Sequence, residues 1–195
     1  MRKARIKNEG EGWYHVVSRT AFQQFKFGAA DRDMFVAMMR RVAQFCGVEV
    51  LNFCVMSNHF HILLHVPDPR EVTEEELLRR ISALYGSENA RELRERWEAL
   101  RKRRQHRTVE REQERFTRRM GDMSEFMKTL KQRISEYFNR ELGHAGQLWC
   151  GRFSSTLVEK EELAKLYVAA YVEWNAPKAA MVAHPRDWKW CSYSA

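Results

Sequence analysis

The residues of this chain best suited to chemistry are two histidines one residue apart, in Met56-Ser57-Asn58-His59-Phe60-His61-Ile62-Leu63-Leu64. Read as a strand, this run has a period of two, which puts His59 and His61 on one face and Phe60, Ile62 and Leu64 on the other. Two imidazoles side by side on a strand make half of a divalent-metal site. Solvated or core histidines give the same pattern, so the pair alone decides nothing. Near the C-terminus, Tyr167, Tyr171 and Asn175 are spaced by four and share one face of a helix. The other residues of that helix, Leu163, Leu166, Val168, Val172 and Trp174, are apolar. In one reading the two tyrosine rings pack at the core edge with their hydroxyls in water. In the other, Asn175 supplies a third, oxygen ligand to a metal on His59 and His61, with Tyr171 one turn away as nucleophile. A His/His/amide-oxygen set leaves coordination positions open and suits Mg²⁺ or Mn²⁺ bound to a phosphate.

Other histidines are weaker candidates. His15, on a neighbouring strand, could approach the site. His65 shares strand parity with the pair but lies four residues beyond His61, about 13 Å along a strand. That distance suits a sheet-surface residue or a phosphate contact better than a ligand. His106, His144 and His184 fall in polar segments and carry no assigned role.

These side chains need a sheet and a helix to hold them. Trp13-Tyr14-His15-Val16-Val17 is aromatic and β-branched, as a first strand should be. Asp31 opens a helix in which Met34, Phe35, Met38, Val42 and Phe45 recur at helical spacing until Gly47. Val48 to Met56 predicts a second strand, Ser57-Asn58 a tight turn, and His59 to Val66 a third strand ended by Pro67 and Pro69. Thr73-x-x-Glu76 is a capping-box start. From Thr73 to Arg119 the chain reads as a charged helical insertion (73–119) protruding from the core. Arg91 to Arg119 holds twelve basic and six acidic residues, a composition better explained by a solvated helix face than by a dedicated nucleic-acid arm. Ser124 to Glu141 predicts an amphipathic helix that buries Phe126, Leu130, Ile134, Tyr137 and Phe138. A loop and fourth strand span Leu148 to Val158, and Glu161 to Asn175 is the last helix. The order β-α-β-β-α-β describes an α+β, ferredoxin-like or RRM-like antiparallel sheet with helices on one face. The histidines would then project from the free face of a single domain spanning residues 1–195.

Composition narrows the partners. With 34 Lys plus Arg against 26 Asp plus Glu, the formal charge is +8, which suits a polyanion. Six Trp, eleven Phe and six Tyr supply a core. No apolar run is long enough for a membrane span, and Met1-Arg2-Lys3-Ala4-Arg5 lacks the apolar stretch of a secretory signal. Cys46, Cys54, Cys150 and Cys191 form no C-x-x-C pair, so reduced thiols in a cytoplasmic protein are the expectation.

Val55-Met56-Ser57-Asn58-His59-Phe60-His61-Ile62-Leu63-Leu64 strongly resembles the HUH signature of single-tyrosine transposases. Tyr171-Val172-Glu173-Trp174-Asn175-Ala176-Pro177-Lys178-Ala179-Ala180-Met181-Val182 is similar to their Tyr-Ile-x-x-Asn-Pro-x-x-Ala-Gly-Leu-Val segment. Trp13-Tyr14-His15-Val16, Phe126-Met127-x-x-Leu130-Lys131, Leu148-Trp149-x-x-Arg152-Phe153 and Asp187-Trp188-x-Trp190-Cys191-Ser192-Tyr193 extend the likeness from about residue 10 to the C-terminus. The subgroup most resembled is the transposase-like proteins associated with repetitive extragenic palindromic (REP) elements.

That resemblance implies His59, His61 and Asn175 as ligands of Mg²⁺ or Mn²⁺ and Tyr171 as the catalytic tyrosine. The reaction it implies is transesterification of single-stranded DNA next to hairpins through a 5′-phosphotyrosine, in a cytoplasmic protein associated with the bacterial nucleoid. It leaves open whether Tyr171 serves its own subunit or the partner in a homodimer. Lys128, Lys131, Arg133 and Arg152, with His15, are the expected DNA contacts. The chain departs from the pattern where Asn-Pro becomes Asn175-Ala176-Pro177, which predicts a helix running on by one residue. Ala180 also stands where Gly is usual.

Other classes compete. A non-catalytic binder of hairpin DNA or RNA would use the sheet as a stacking platform, but the Gly-Phe-Gly-Phe-like RRM signature is absent. A zinc hydrolase would need H-E-x-x-H, and a deaminase H-x-E with P-C-x-x-C; the chain has neither. Replication initiators and relaxases share the paired histidines, but the Tyr-x-x-x-Asn helix fits the transposases better.

Overall fold

Alternation of side chains builds the first strand. In β1, Gly12–Arg19, Tyr14 and Val16 turn inward, while Trp13, His15, Val17 and Arg19 share the opposite face. The structure is a computed structural model that describes residues 8, 10–21, 27–141, 143 and 146–194. The basic run Met1–Arg5 and His144 lie outside the described residues. Helix α1, Ala29–Cys46, starts two residues ahead of the expected Asp31, because the Asp31 carboxylate accepts from the Gly28 N–H (2.7 Å) and caps the turn from within. It ends at Gly47, whose φ of +63° suits glycine, and where a Cβ would collide with the Arg80 guanidinium. Strand β2, Glu49–Val55, then pairs with β3, His59–Val66.

With β4, Ser154–Val158, the sheet order is β2-β3-β1-β4 and every neighbouring pair is antiparallel. This is the expected α+β ferredoxin-like arrangement. One face carries α1 and α5, Met123–Glu141, whose Phe35, Met39, Val42, Phe45, Phe126, Leu130, Ile134 and Phe138 pack with Phe60, Ile62 and Leu64 of β3. Burial of such apolar area is the main stabilising term.

Two expectations change. The segment after Pro69 does not stand off from the core. It folds as α2 (Glu74–Tyr85), α3 (Ser87–Lys102) and α4 (His106–Thr117), and Leu77, Ile81, Leu84, Trp97 and Val109 join the same buried cluster as α1. Thr73 caps α2 as the capping box foretold, its hydroxyl accepting from the Glu76 N–H. Trp97 is fully buried and donates its Nε1–H to Glu112 (3.0 Å), so α3 and α4 are joined by a ring as well as by charges. The histidine face, in turn, is not wholly free. Helix α6, Glu162–Glu173, and the C-terminal segment lie on it. A second small core of Cys54, Met56, Val172, Ala176, Trp188 and Cys191 holds them there.

The last helix does not run on past Asn175. Pro177 has no N–H to give the Glu173 carbonyl, so α6 stops at Glu173. After Trp174 a short turn, α7 (Asn175–Lys178), follows. Ala180 adopts φ +53°, a left-handed conformation in which glycine would carry no steric cost. Among the described residues, no helix is long and apolar enough to cross a membrane.

Candidate active site

Register decides what meets what on the histidine face. β1 and β3 pair so that Arg19 faces His59, Val17 faces His61 and Trp13 faces His65. All odd-numbered residues of these two strands therefore share one surface, and His15 leans diagonally onto His61. Their rings stack at 5.2 Å between centroids, with His15 Nε2 3.0 Å from His61 Nδ1. The rings of His59 and His61 lie 5.2 Å apart, edge to face.

Helix α6 brings Tyr171 onto this pair. Its ring meets His15 at 5.7 Å and His61 at 5.9 Å, edge-on to both. Tyr171 is 41% exposed and Tyr167 is 79% exposed, the latter lying over β4 rather than over the paired histidines. The Lys178 ammonium sits 4.6 Å from the Tyr171 ring centre. Asn175, one turn on, donates its amide N–H groups to the carbonyls of Tyr171 (2.9 Å) and Val172 (3.2 Å), occupying the C-terminal carbonyls of α6. Its Oδ1 has no partner among the described residues.

Electrostatics keep the imidazoles neutral. His61 is 6% exposed, and burial first, then the neighbouring His15, His59 and Arg19, pulls its pKa down to about 3. Burial and then Arg19 lower His59, and burial lowers His15. A metal needs these lone pairs unprotonated. It also needs the right tautomers, and the neighbours supply them. Asn58 Oδ1 lies 2.8 Å from His59 Nδ1, so that nitrogen carries the proton and Nε2 is left bare. If His61 Nδ1–H donates to His15 Nε2, the same holds for His61. Among the described residues no three His, Cys, Asp or Glu side chains converge on a common point. A third ligand to a divalent ion would be of another type, and the amide oxygen of Asn175 is a group of that kind. The residues present fit a divalent ion with open coordination.

The sequence singled out His59, His61, Tyr171 and Asn175 but gave no reason for Arg19, Asn58 or Lys178. Asn58 was visible only as a turn residue. Arg19 has the parity of His15, yet only the β1–β3 register sets it opposite His59. His65 is not disposed to meet a phosphate. It stacks on Trp13 at 4.8 Å and lies between the carboxylates of Glu49 (2.7 Å) and Glu11 (2.9 Å).

The basic candidates divide. Lys131 reaches the Gly151 carbonyl (2.6 Å) and lies 5.2 Å from the Trp149 ring, beside exposed Arg152 on the loop that closes the His59 end of the sheet. Lys128 pairs with Glu125 (3.2 Å). Arg133 pairs with Glu136 (3.1 Å) and lies over Tyr85 of α2.

The model of a family described as "Transposase IS200 like" matches residues 10–109. Among solved structures, the chain is similar to a REP-associated tyrosine transposase bound to a REP hairpin. The TM-score is 0.64 and the identity 12%, over all of this chain and 84% of that one. It is also similar to a putative transposase from Deinococcus radiodurans R1, at a TM-score of 0.40 and 16% identity, over 89% of this chain and 96% of that one. At such identity the first likeness bears on the fold alone, and the second is too loose to bear on anything further. No curated protein matches.

Proposed function

The chain belongs to the IS200-like family of transposases, and we propose that it cleaves and rejoins single-stranded DNA beside a hairpin through a covalent bond to Tyr171. The convergence of the Tyr171 ring on His15 and His61 carries this reading. His59, His61 and Asn175 would hold Mg²⁺ or Mn²⁺, which when bound polarises a non-bridging phosphate oxygen. Asn58 and His15 orient the two ligand imidazoles. The Tyr171 oxygen attacks phosphorus, the P–O3′ bond breaks, and the phenol proton ends on the departing 3′-hydroxyl. A 5′-phosphotyrosine conserves the bond energy, so rejoining needs no nucleotide cofactor. The phenolate that leaves in the reverse step is a competent leaving group, its unperturbed pKa being about 10. Lys178 places a positive charge beside it.

The contacts of Tyr171 with the histidines of its own chain favour the reading in which it serves its own subunit. The formal charge of +8 suits a DNA partner, and the structurally similar transposase is bound to a REP hairpin. Of the four expected Lys and Arg contacts, Lys131 and Arg152 lie by the Gly151 loop at the His59 end of the sheet; Lys128 and Arg133 would meet phosphates only along the α5 flank. Incubation with Mn²⁺ and a hairpin bearing single-stranded flanks should give a covalent protein–DNA adduct that is absent in Tyr171→Phe. Hairpin binding without any adduct would favour the non-catalytic binder instead.

A further inference from the structure

Beyond His59, at the end of the sheet away from Tyr171, lies a cavity of about 850 Å³ lined by Arg19, Asn58, His59, Trp149, Cys150 and Gly151 among others. Its size is within the roughly 300–1,000 Å³ typical of ligand sites, enough for one nucleotide. Its walls combine a cation, an amide, an imidazole and an indole. The Arg19 guanidinium is exposed and has no ion-pair partner among the described residues, whereas Lys128, Arg80, Arg96 and Arg133 are all paired. An unpaired guanidinium suits a phosphate oxygen.

Resting on the reading of Tyr171 as nucleophile, we infer that this cavity receives the leaving nucleotide, the one that departs with the 3′-hydroxyl, and that Arg19 grips its phosphate. In phosphoryl transfer the attacking and leaving oxygens lie on opposite sides of phosphorus, roughly in line. Tyr171 approaches from the His15–His61 end. Successive same-face positions on a strand are about 7 Å apart, so along β3 the order is Tyr171 over His61, then His59 with Arg19 directly across from it on β1, then the cavity that both of them line. A phosphate held over the two histidines therefore directs its 3′-oxygen toward Arg19. The nucleotide bonded to Tyr171 through its 5′-phosphate lies on the other side. Trp149 is fixed as a wall by Nε1–H bonds to the Lys131 carbonyl and to Ser135 Oγ, both 3.0 Å.

Cys150 makes the inference testable, because it is the exposed cysteine of the four. Cys46, Cys54 and Cys191 are buried, and burial pushes the Cys46 and Cys54 thiols up to about 12, so iodoacetamide should label the folded protein at Cys150. The substrate is a hairpin with single-stranded flanks, and the adduct formed by wild-type protein maps the cleaved bond. Two oligonucleotides split at that bond are then compared. The strand ending in 3′-hydroxyl, at about ten times its Kd, should slow Cys150 alkylation about tenfold, and the strand beginning with 5′-phosphate should leave it unchanged. Arg19→Ala should weaken binding of the 3′-hydroxyl strand about tenfold, with Arg19→Lys recovering part of it, while the melting temperature stays that of wild type. Protection by the 5′-phosphate strand instead, or adduct formation with no protection by either, overturns the assignment while leaving Tyr171 as nucleophile. Absence of any adduct removes both.

Discussion

Replacing His15 by Phe tests whether the neighbour of His61 governs metal binding. Phe keeps the ring stack on His61 and the edge contact with Tyr171 but removes the nitrogen 3.0 Å from His61 Nδ1. His61 is 6% exposed, so with its proton on Nδ1 that N–H would be left buried without an acceptor, at about 1–3 kcal/mol. The ring escapes that cost by moving the proton to Nε2, which then points an N–H where a ligand lone pair is required. Loss of such an orienting partner weakens metal affinity roughly 10–100-fold, or about 1.4–2.7 kcal/mol. Titration of Mn²⁺ followed by the electron paramagnetic resonance signal of the free ion measures this without DNA. His15→Gln, whose amide oxygen reaches a similar position, should recover most of the affinity. If His15→Phe bound Mn²⁺ as tightly as wild type, the orienting role would be wrong, and His15 would be a packing or DNA-contacting residue only.

Tyr171→Phe should abolish the covalent adduct while shifting hairpin affinity less than about twofold, because its hydroxyl makes no hydrogen bond among the described residues; Tyr167→Phe should leave the adduct intact, and a reversal of the two would move the nucleophile by one turn. Trp97→Ala should cost about 3–5 kcal/mol, read by urea unfolding, since a fully buried indole and its bond to Glu112 are lost; a loss below 1 kcal/mol would mean that α3 and α4 are not part of the core. Ala180→Gly should raise stability by roughly 1 kcal/mol by relieving a left-handed alanine at φ +53°, seen as a higher melting temperature. Arg152→Ala should lower the slope of log affinity against log salt by about one, measured by fluorescence anisotropy with a hairpin; an unchanged slope would remove Arg152 from the phosphate contacts.

Much of the site was legible because its placement is local. A period of two fixed His59 and His61 on one face, and Gly47, Thr73 and Pro67 marked where elements start and stop, whereas Asn175, read on one helical stripe with Tyr171, falls past the end of α6 in the turn that follows. These follow from backbone geometry and need no knowledge of distant neighbours. What the tertiary structure alone decided is pairing between segments far apart in the chain. The β1–β3 register sets Arg19 opposite His59 and lets His15 reach His61 across 46 residues. The small core around Val172 and Trp188 seats α6 on the histidine face, and the burial of Trp97 folds the charged segment against the body. Register and docking minimise the free energy of whole surfaces meeting, and a residue's own neighbours in sequence do not encode which surface it will meet. The helix end belongs to both levels. Pro177 removed an N–H as the sequence says it must, but the carbonyl that lost it, on Glu173, and the Asn175 amide that closed the turn were set by how the folded chain satisfied its remaining hydrogen bonds.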